Sequence, residues 1–240
     1  MARKPHYATV PLRTAEWLGG LLYFPFYIQL LSVGLAWLLP HLGMELHTVS
    51  GAIAAQCIYF ALNFVICILI FRRFLAASFR TVTKRFAQTA QIVILSVVFC
   101  YALNCVVSLV AQLLQRSVVN DNQTVIETLL GHNPALMALC CCVFAPVTEE
   151  CLMRGLVFGQ IHRKSRVLAY AVSVLLFAAL HVWQTAAYHS VVNTLLVMLQ
   201  YLPAGIALGW AYERSGTIWT SIFAHMLLNA ISCGILIYLK

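Results

Sequence analysis

Three short stretches place ionisable groups where a chain this apolar should carry none. They are Thr148-Glu149-Glu150-Cys151-Leu152-Met153-Arg154, Phe177-Ala178-Ala179-Leu180-His181, and His225-Met226-Leu227-Leu228-Asn229. Ionisable groups inside membrane spans are costly, face a protein interior or a water-filled cavity, and are functional by default. Glu150 and Arg154 lie one helical turn apart on one face, so they can pair and offset the cost of burial. Glu149 points about 100° around the helix from Glu150, so Arg154 need not neutralise it. Two adjacent acids thereby acquire different surroundings and different roles. Phe177 and His181 share a helix face, and so do His225 and Asn229. Pro146 removes a backbone donor just before the acids and can kink their helix.

Two chemistries suit this set. Glu149, His181 and His225 can hold a divalent metal such as zinc, with an open position for water. Alternatively, Glu149 and His181 polarise a water directly, and His225 with the Asn229 amide supplies donors to an oxyanion. Both schemes hydrolyse an amide inside the membrane, and spacing does not separate them. There is no soluble-type zinc motif with two histidines around a glutamate. Two blander readings stand beside these. One is a structural ion pair with packing histidines. The other is a transporter or proton relay, against which the chain shows no inverted repeat.

The elements that must position these residues are membrane spans. The chain has 240 residues, 62% of them hydrophobic and only 9% charged, with a formal net charge of +8. Its mean hydropathy is +0.88. An ordinary soluble domain carries about 25% charged residues. Disorder, a nucleic-acid-binding module and a water-soluble enzyme are excluded. The expected fold is all-α, a polytopic transmembrane helix bundle forming a single membrane domain over 1–240. Apolar segments near 18–39, 50–71, 91–114, 135–161, 167–183, 190–212 and 217–239 predict about seven spans, each near the length that crosses about 30 Å of hydrocarbon. The first is read as a span and not as a cleavable signal peptide.

Lys and Arg predict the orientation. Arg3, Lys4, Arg13, Arg72, Arg73, Arg80, Lys84, Arg85, Arg163, Lys164, Arg166 and Arg214 fall on one side, while only Arg116 and Lys240 fall on the other. The expectation is an N-terminus in the cytoplasm and a C-terminus outside. Counting about 1.5 Å per residue from the basic side, Glu149 lies about 20 Å from His162, His181 about 22 Å from Arg166, and His225 about 16 Å from Arg214. The depths agree within a turn, so one buried site is geometrically possible.

Several features read as structural. Phe71, Phe74, Leu75, Phe79, Val82 and Phe86 recur at helical steps between basic residues, which predicts an interfacial amphipathic helix over 71–86. Asn120, Asp121 or Asn122 is expected to cap a short helix before Pro134. Gly155 with Gly159, and Gly205 with Gly209, form small-residue packing faces. Tyr201, Trp210, Tyr212 and Trp219 are expected in interfacial aromatic belts. The nine cysteines all fall in apolar stretches and are read as buried hydrophobes. His6, His41, His47, His132, His162 and His189 are placed in tails or at span ends.

The arrangement Glu149-Glu150-x-x-x-Arg154, Phe177-x-x-x-His181 and His225-x-x-x-Asn229, with the lead-in Thr217-Ile218-Trp219-Thr220-Ser221-Ile222, resembles the CPBP family of intramembrane proteases. This is the CAAX-protease and bacteriocin-processing, or Abi-type, family. The likeness covers roughly 134–239, an expected catalytic helix core. It implies an intramembrane endopeptidase, classed as metalloprotease-like, in which Glu149 and His181 activate water. Glu150 and Arg154 would form the supporting pair, His225 and Asn229 would stabilise the oxyanion or complete a metal site, and Phe177 would pack beside them. The implied substrate is a membrane-embedded or lipid-attached peptide or protein in the lipid bilayer of a bacterial plasma membrane. In the family's eukaryotic members the site opens to the cytosol. A non-catalytic bacteriocin-immunity or scaffold membrane protein that keeps the motifs is the alternative. No nucleic-acid partner is expected, because the apolar composition and the one-sided basic residues point to a membrane topology.

Overall fold

The computed structural model describes residues 9–113 and 118–238. Among these residues the chain is helical, without strands. In chain order the helices are α1 (Thr14–His41), α2 (Val49–Lys84), α3 (Phe86–Leu113), α4 (Asp121–His132), α5 (Pro134–His162), α6 (Arg166–Val182), α7 (Val191–Ser215) and α8 (Ile218–Tyr238). All but α4 and α6 are long and apolar enough to cross a membrane, and α6 is a shorter apolar helix. The apolar segments expected from the sequence are thus all present, and the chain is a multi-pass integral membrane protein.

α5 is the central pillar. In its most apolar window 61% of residues are buried, against 11–33% in the other long helices. A helix enclosed by protein and not by lipid can carry charge, which is why the acid pair sits here. α6, α7 and α8 surround it on one side, and α1 and α2 close the other. Close approach depends on small residues. A Cβ on Gly155 would stand 3.1 Å from the Phe74 ring, and one on Gly205 would stand 3.1 Å from Val174. The small-residue faces predicted in α5 and α7 are therefore packing faces.

The helices widen at three places. π turns occupy Phe26–Leu30 in α1, and Cys140–Phe144 and Cys151–Phe158 in α5. Such turns are rare and concentrate at functional sites. In α1 the turn follows Pro25, and in α5 the two wide turns flank the stretch Ala145–Glu150 that contains Pro146.

The structure alters two expectations. Residues 71–86 do not form a separate interfacial helix. α2 runs unbroken to Lys84, about 54 Å in all, well beyond the hydrocarbon thickness. Its Phe71, Phe74, Leu75 and Val82 are buried in the protein core, while Phe79, and Phe86 at the start of α3, remain exposed. The aromatic belt is also revised. Tyr212 is 1% exposed, and the Trp219 indole donates to the Leu75 carbonyl (2.9 Å). Tyr201 belongs to the site described below.

The bundle is tied at both ends. At the end carrying the basic residues, Glu213 of α7 accepts bonds from Arg166 Nε (2.6 Å), Arg166 Nη2 (2.9 Å) and the Tyr170 hydroxyl (2.8 Å), and meets His162 at 3.0 Å. At the other end Asn120 caps α4 through the Gln123 amide, as expected of one of the three residues there. His189 pairs with Asp121 at 2.6 Å. All nine cysteines are free thiols, and all but Cys105 are buried or half-buried.

Candidate active site

The two acids of α5 occupy different environments, as their angular separation predicts. Glu150 is fully buried. Its Oε1 accepts from Arg154 Nη1 (3.0 Å) and from His225 Nδ1 (2.9 Å), and its Oε2 accepts from the Ser221 hydroxyl. Arg154 Nη2 donates to the Gly205 carbonyl (2.9 Å). The guanidinium also lies over the Phe177 ring, 4.9 Å from its centroid. This is a fully enclosed ion pair with its hydrogen-bonding capacity largely met.

Glu149 faces a cavity of about 330 Å³ lined also by Tyr27, His181, Tyr201, His225 and Asn229. Its Oε1 receives a long bond from the Tyr27 hydroxyl (3.4 Å). Its Oε2 is buried without a hydrogen-bond partner among the described residues. The Nε2 atoms of His181 and His225 stand 3.9 and 4.0 Å from that oxygen. The three sequence stretches thus converge on one atom.

The other ring nitrogens fix the histidines. His181 Nδ1 meets the Phe177 carbonyl at 2.8 Å, and His225 Nδ1 meets Glu150. Both partners are acceptors, so in the neutral rings Nδ1 carries the proton and Nε2 presents a lone pair. Three lone-pair atoms therefore face one another across the cavity. This assignment changes one expected role. A neutral His225 cannot donate to an oxyanion, because its single N–H is committed to Glu150. Asn229 donates one amide hydrogen to the Cys141 carbonyl (2.8 Å) and keeps a second.

The donor types fit a divalent metal, with imidazole Nδ1 atoms anchored on a carbonyl and a carboxylate as metal-binding histidines usually are. Among the described residues no three His, Cys, Asp or Glu side chains are drawn tightly enough to coordinate an ion as they stand. The 3.9 and 4.0 Å separations also suit a water shared between the groups.

Two residues of the site were not assigned to it from sequence. Tyr27 comes from the π turn of α1, and its carbonyl accepts from the Tyr59 hydroxyl (2.8 Å). Tyr201 stacks on His181, with ring centroids 4.1 Å apart, and its hydroxyl contacts the Asn120 and Asn122 side chains. In both, a polar-tipped aromatic lies mid-bundle where its hydroxyl needs a partner. That requirement was the available signal.

Part of the chain is similar to known proteins. Residues 131–231, which span all three stretches, match the family described as type II CAAX prenyl endopeptidase Rce1-like. The "Putative membrane peptidase YdiL" of Bacillus subtilis (strain 168) is 27% identical over 95 residues, which is 39% of this chain. The match covers about a third (34%) of that relative's length. No solved structure matches the chain. Over these helices the chain is similar to the CAAX-protease family of membrane endopeptidases.

Proposed function

We propose that the protein is an intramembrane endopeptidase that hydrolyses a peptide bond of a membrane-embedded or lipid-attached substrate. The convergence of His181 Nε2 and His225 Nε2 on the partnerless Oε2 of Glu149 carries the reading. A water held there meets three acceptor atoms. Glu149, with His181, takes a proton from it as the oxygen attacks the substrate carbonyl carbon. The free amide hydrogen of Asn229, which lines the same cavity, meets the oxyanion. The proton then passes to the leaving amine as the C–N bond breaks. Glu150 and Arg154 hold His225 in its tautomer, and Phe177 supports both His181 and the guanidinium. A divalent metal such as zinc would be held by Glu149, His181 and His225, and when bound would supply Lewis acidity at that water.

The test compares purified wild type with Glu149→Gln on a mixed membrane-peptide library, reading new termini by mass spectrometry with and without a chelator. Cleavage by wild type alone supports the reading, and loss with chelator followed by recovery with zinc assigns the metal. New termini made equally by both proteins overturn it.

A further inference from the structure

The cavity has a direction. Its floor is Glu149, Phe177 and His225, all buried. Its exposed lining residues are Trp183 and Gln184, just past the end of α6, and Ser232 near the end of α8. Asn122 and Gln123 at the start of α4 complete that rim. Every one of these belongs to the end of the bundle where α1 passes to α2, α5 begins and α6 ends. No lining residue comes from the opposite end.

The opposite end carries the charge. Apart from the enclosed Arg154, every described Lys and Arg lies there, in the last turns of α2, in the turns joining α5 to α6 and α7 to α8, or just before α1. Among the described residues the rim end bears acids and histidines, including Glu45, Asp121 and His189, and no Lys or Arg. The depths agree with this polarity. Glu149 and His181 stand about 20 Å and about 22 Å from the basic ends of their helices. α8 begins recessed, because Trp219 bonds to Leu75, about 14 Å short of the end of α2. His225 is therefore also far from the basic surface. The wall between the rim and the site is polar for a span interior, with Gln56 and Asn104 facing the cavity. Polar side chains in spans line water-filled space.

Lys and Arg mark the cytoplasmic side. We infer that the site is served from the extracytoplasmic side, through the rim formed by α4 and the α6–α7 connection, so that its substrate is a peptide segment emerging on that face and not a cytosolic tail. This rests on the proposed protease reading only for the word substrate; the direction of access stands on the cavity and the charges.

The test uses the full chain in right-side-out and inverted membrane vesicles with a membrane-impermeant maleimide. Gln56→Cys reports the cavity wall, Gln184→Cys the rim and Lys164→Cys the basic end, each scored above wild-type labelling. Gln56→Cys and Gln184→Cys should label at least tenfold faster in right-side-out vesicles, and Lys164→Cys in inverted ones. Reversal of this pattern, or failure of Gln56→Cys to label from either side while Gln184→Cys labels, overturns the inference. If Gln56→Cys does not accumulate, Asn104→Cys replaces it. The labelling needs no catalysis, so loss of the protease reading in the library experiment would leave this result standing.

Discussion

Glu149→Gln and Glu150→Gln remove the same charge from adjacent positions, and they should fail in opposite ways. Glu150 is enclosed and accepts from Arg154, His225 and Ser221. In Glu150→Gln the guanidinium of Arg154, itself 0% exposed, loses its hydrogen-bonded carboxylate and is left with neutral acceptors and the Phe177 face. Breaking one partner out of a buried pair costs about 3–5 kcal/mol. For a chain of this size that lowers Tm by on the order of 10 °C. Glu149→Gln is isosteric, its amide oxygen can still accept from Tyr27, and Oε2 has no partner to lose. Its stability should stay within about 1 kcal/mol of wild type, while cleavage falls by about 10²–10⁴-fold, the contribution of a general base. Both variants would be purified in one detergent, melted by tryptophan fluorescence and assayed for peptide cleavage. A Glu150→Gln protein that melts with wild type would refute the enclosed-pair reasoning. Glu149→Gln melting as early as Glu150→Gln would refute the division of labour between the acids.

Three further outcomes are expected. Tyr27→Phe loses only the long contact to Glu149; cleavage should drop by less than about tenfold with little change in melting, in keeping with a hydrogen bond of about 1 kcal/mol, and an unchanged rate would remove Tyr27 from the site. Tyr201→Ala removes the ring stacked on His181, an interaction of about 0.5–1.5 kcal/mol, so cleavage should fall further than in Tyr201→Phe, and equal rates for the two would show that the stack does not position His181. Gly205→Val forces a side chain against Val174 and should destabilise by about 1–3 kcal/mol, read as an earlier thermal transition; wild-type melting would mean that α7 can move away without penalty.

The spans were legible because hydropathy is summed over many residues, and lipid leaves the backbone no alternative to helix. Glu149, His181 and His225 were legible because charge and imidazole stand out against an apolar background. What sequence could not supply was direction around each helix axis. The α2 extension shows this. Its alternation of aromatic and basic residues has the same period whether the apolar face meets lipid headgroups or protein, and the structure buries Phe71, Phe74 and Leu75 in the core. Tyr201 shows it again, since a tyrosine in an apolar span looks the same in sequence whether it anchors an interface or stacks on a histidine. The role of His225 needed its Nδ1 partner, which only the fold reveals.

The wide turns of α5 absorb residues beyond the regular α count. A helix counts residues as angle, and a π turn inserts one extra count. Between Cys140 and Phe144 that count also releases the Cys141 carbonyl from the regular ladder, where it accepts from Asn229. Removing one residue of the Cys140-Cys141-Cys142 run would let the turn rewind to α geometry, which keeps the two halves of the helix in nearly the same mutual rotation but returns the Cys141 carbonyl to the ladder and takes the acceptor from Asn229. The run thus matters here for the residue it adds, which frees the carbonyl that Asn229 uses. A helix that looks uniformly apolar along this stretch carries its specification in how many residues it has.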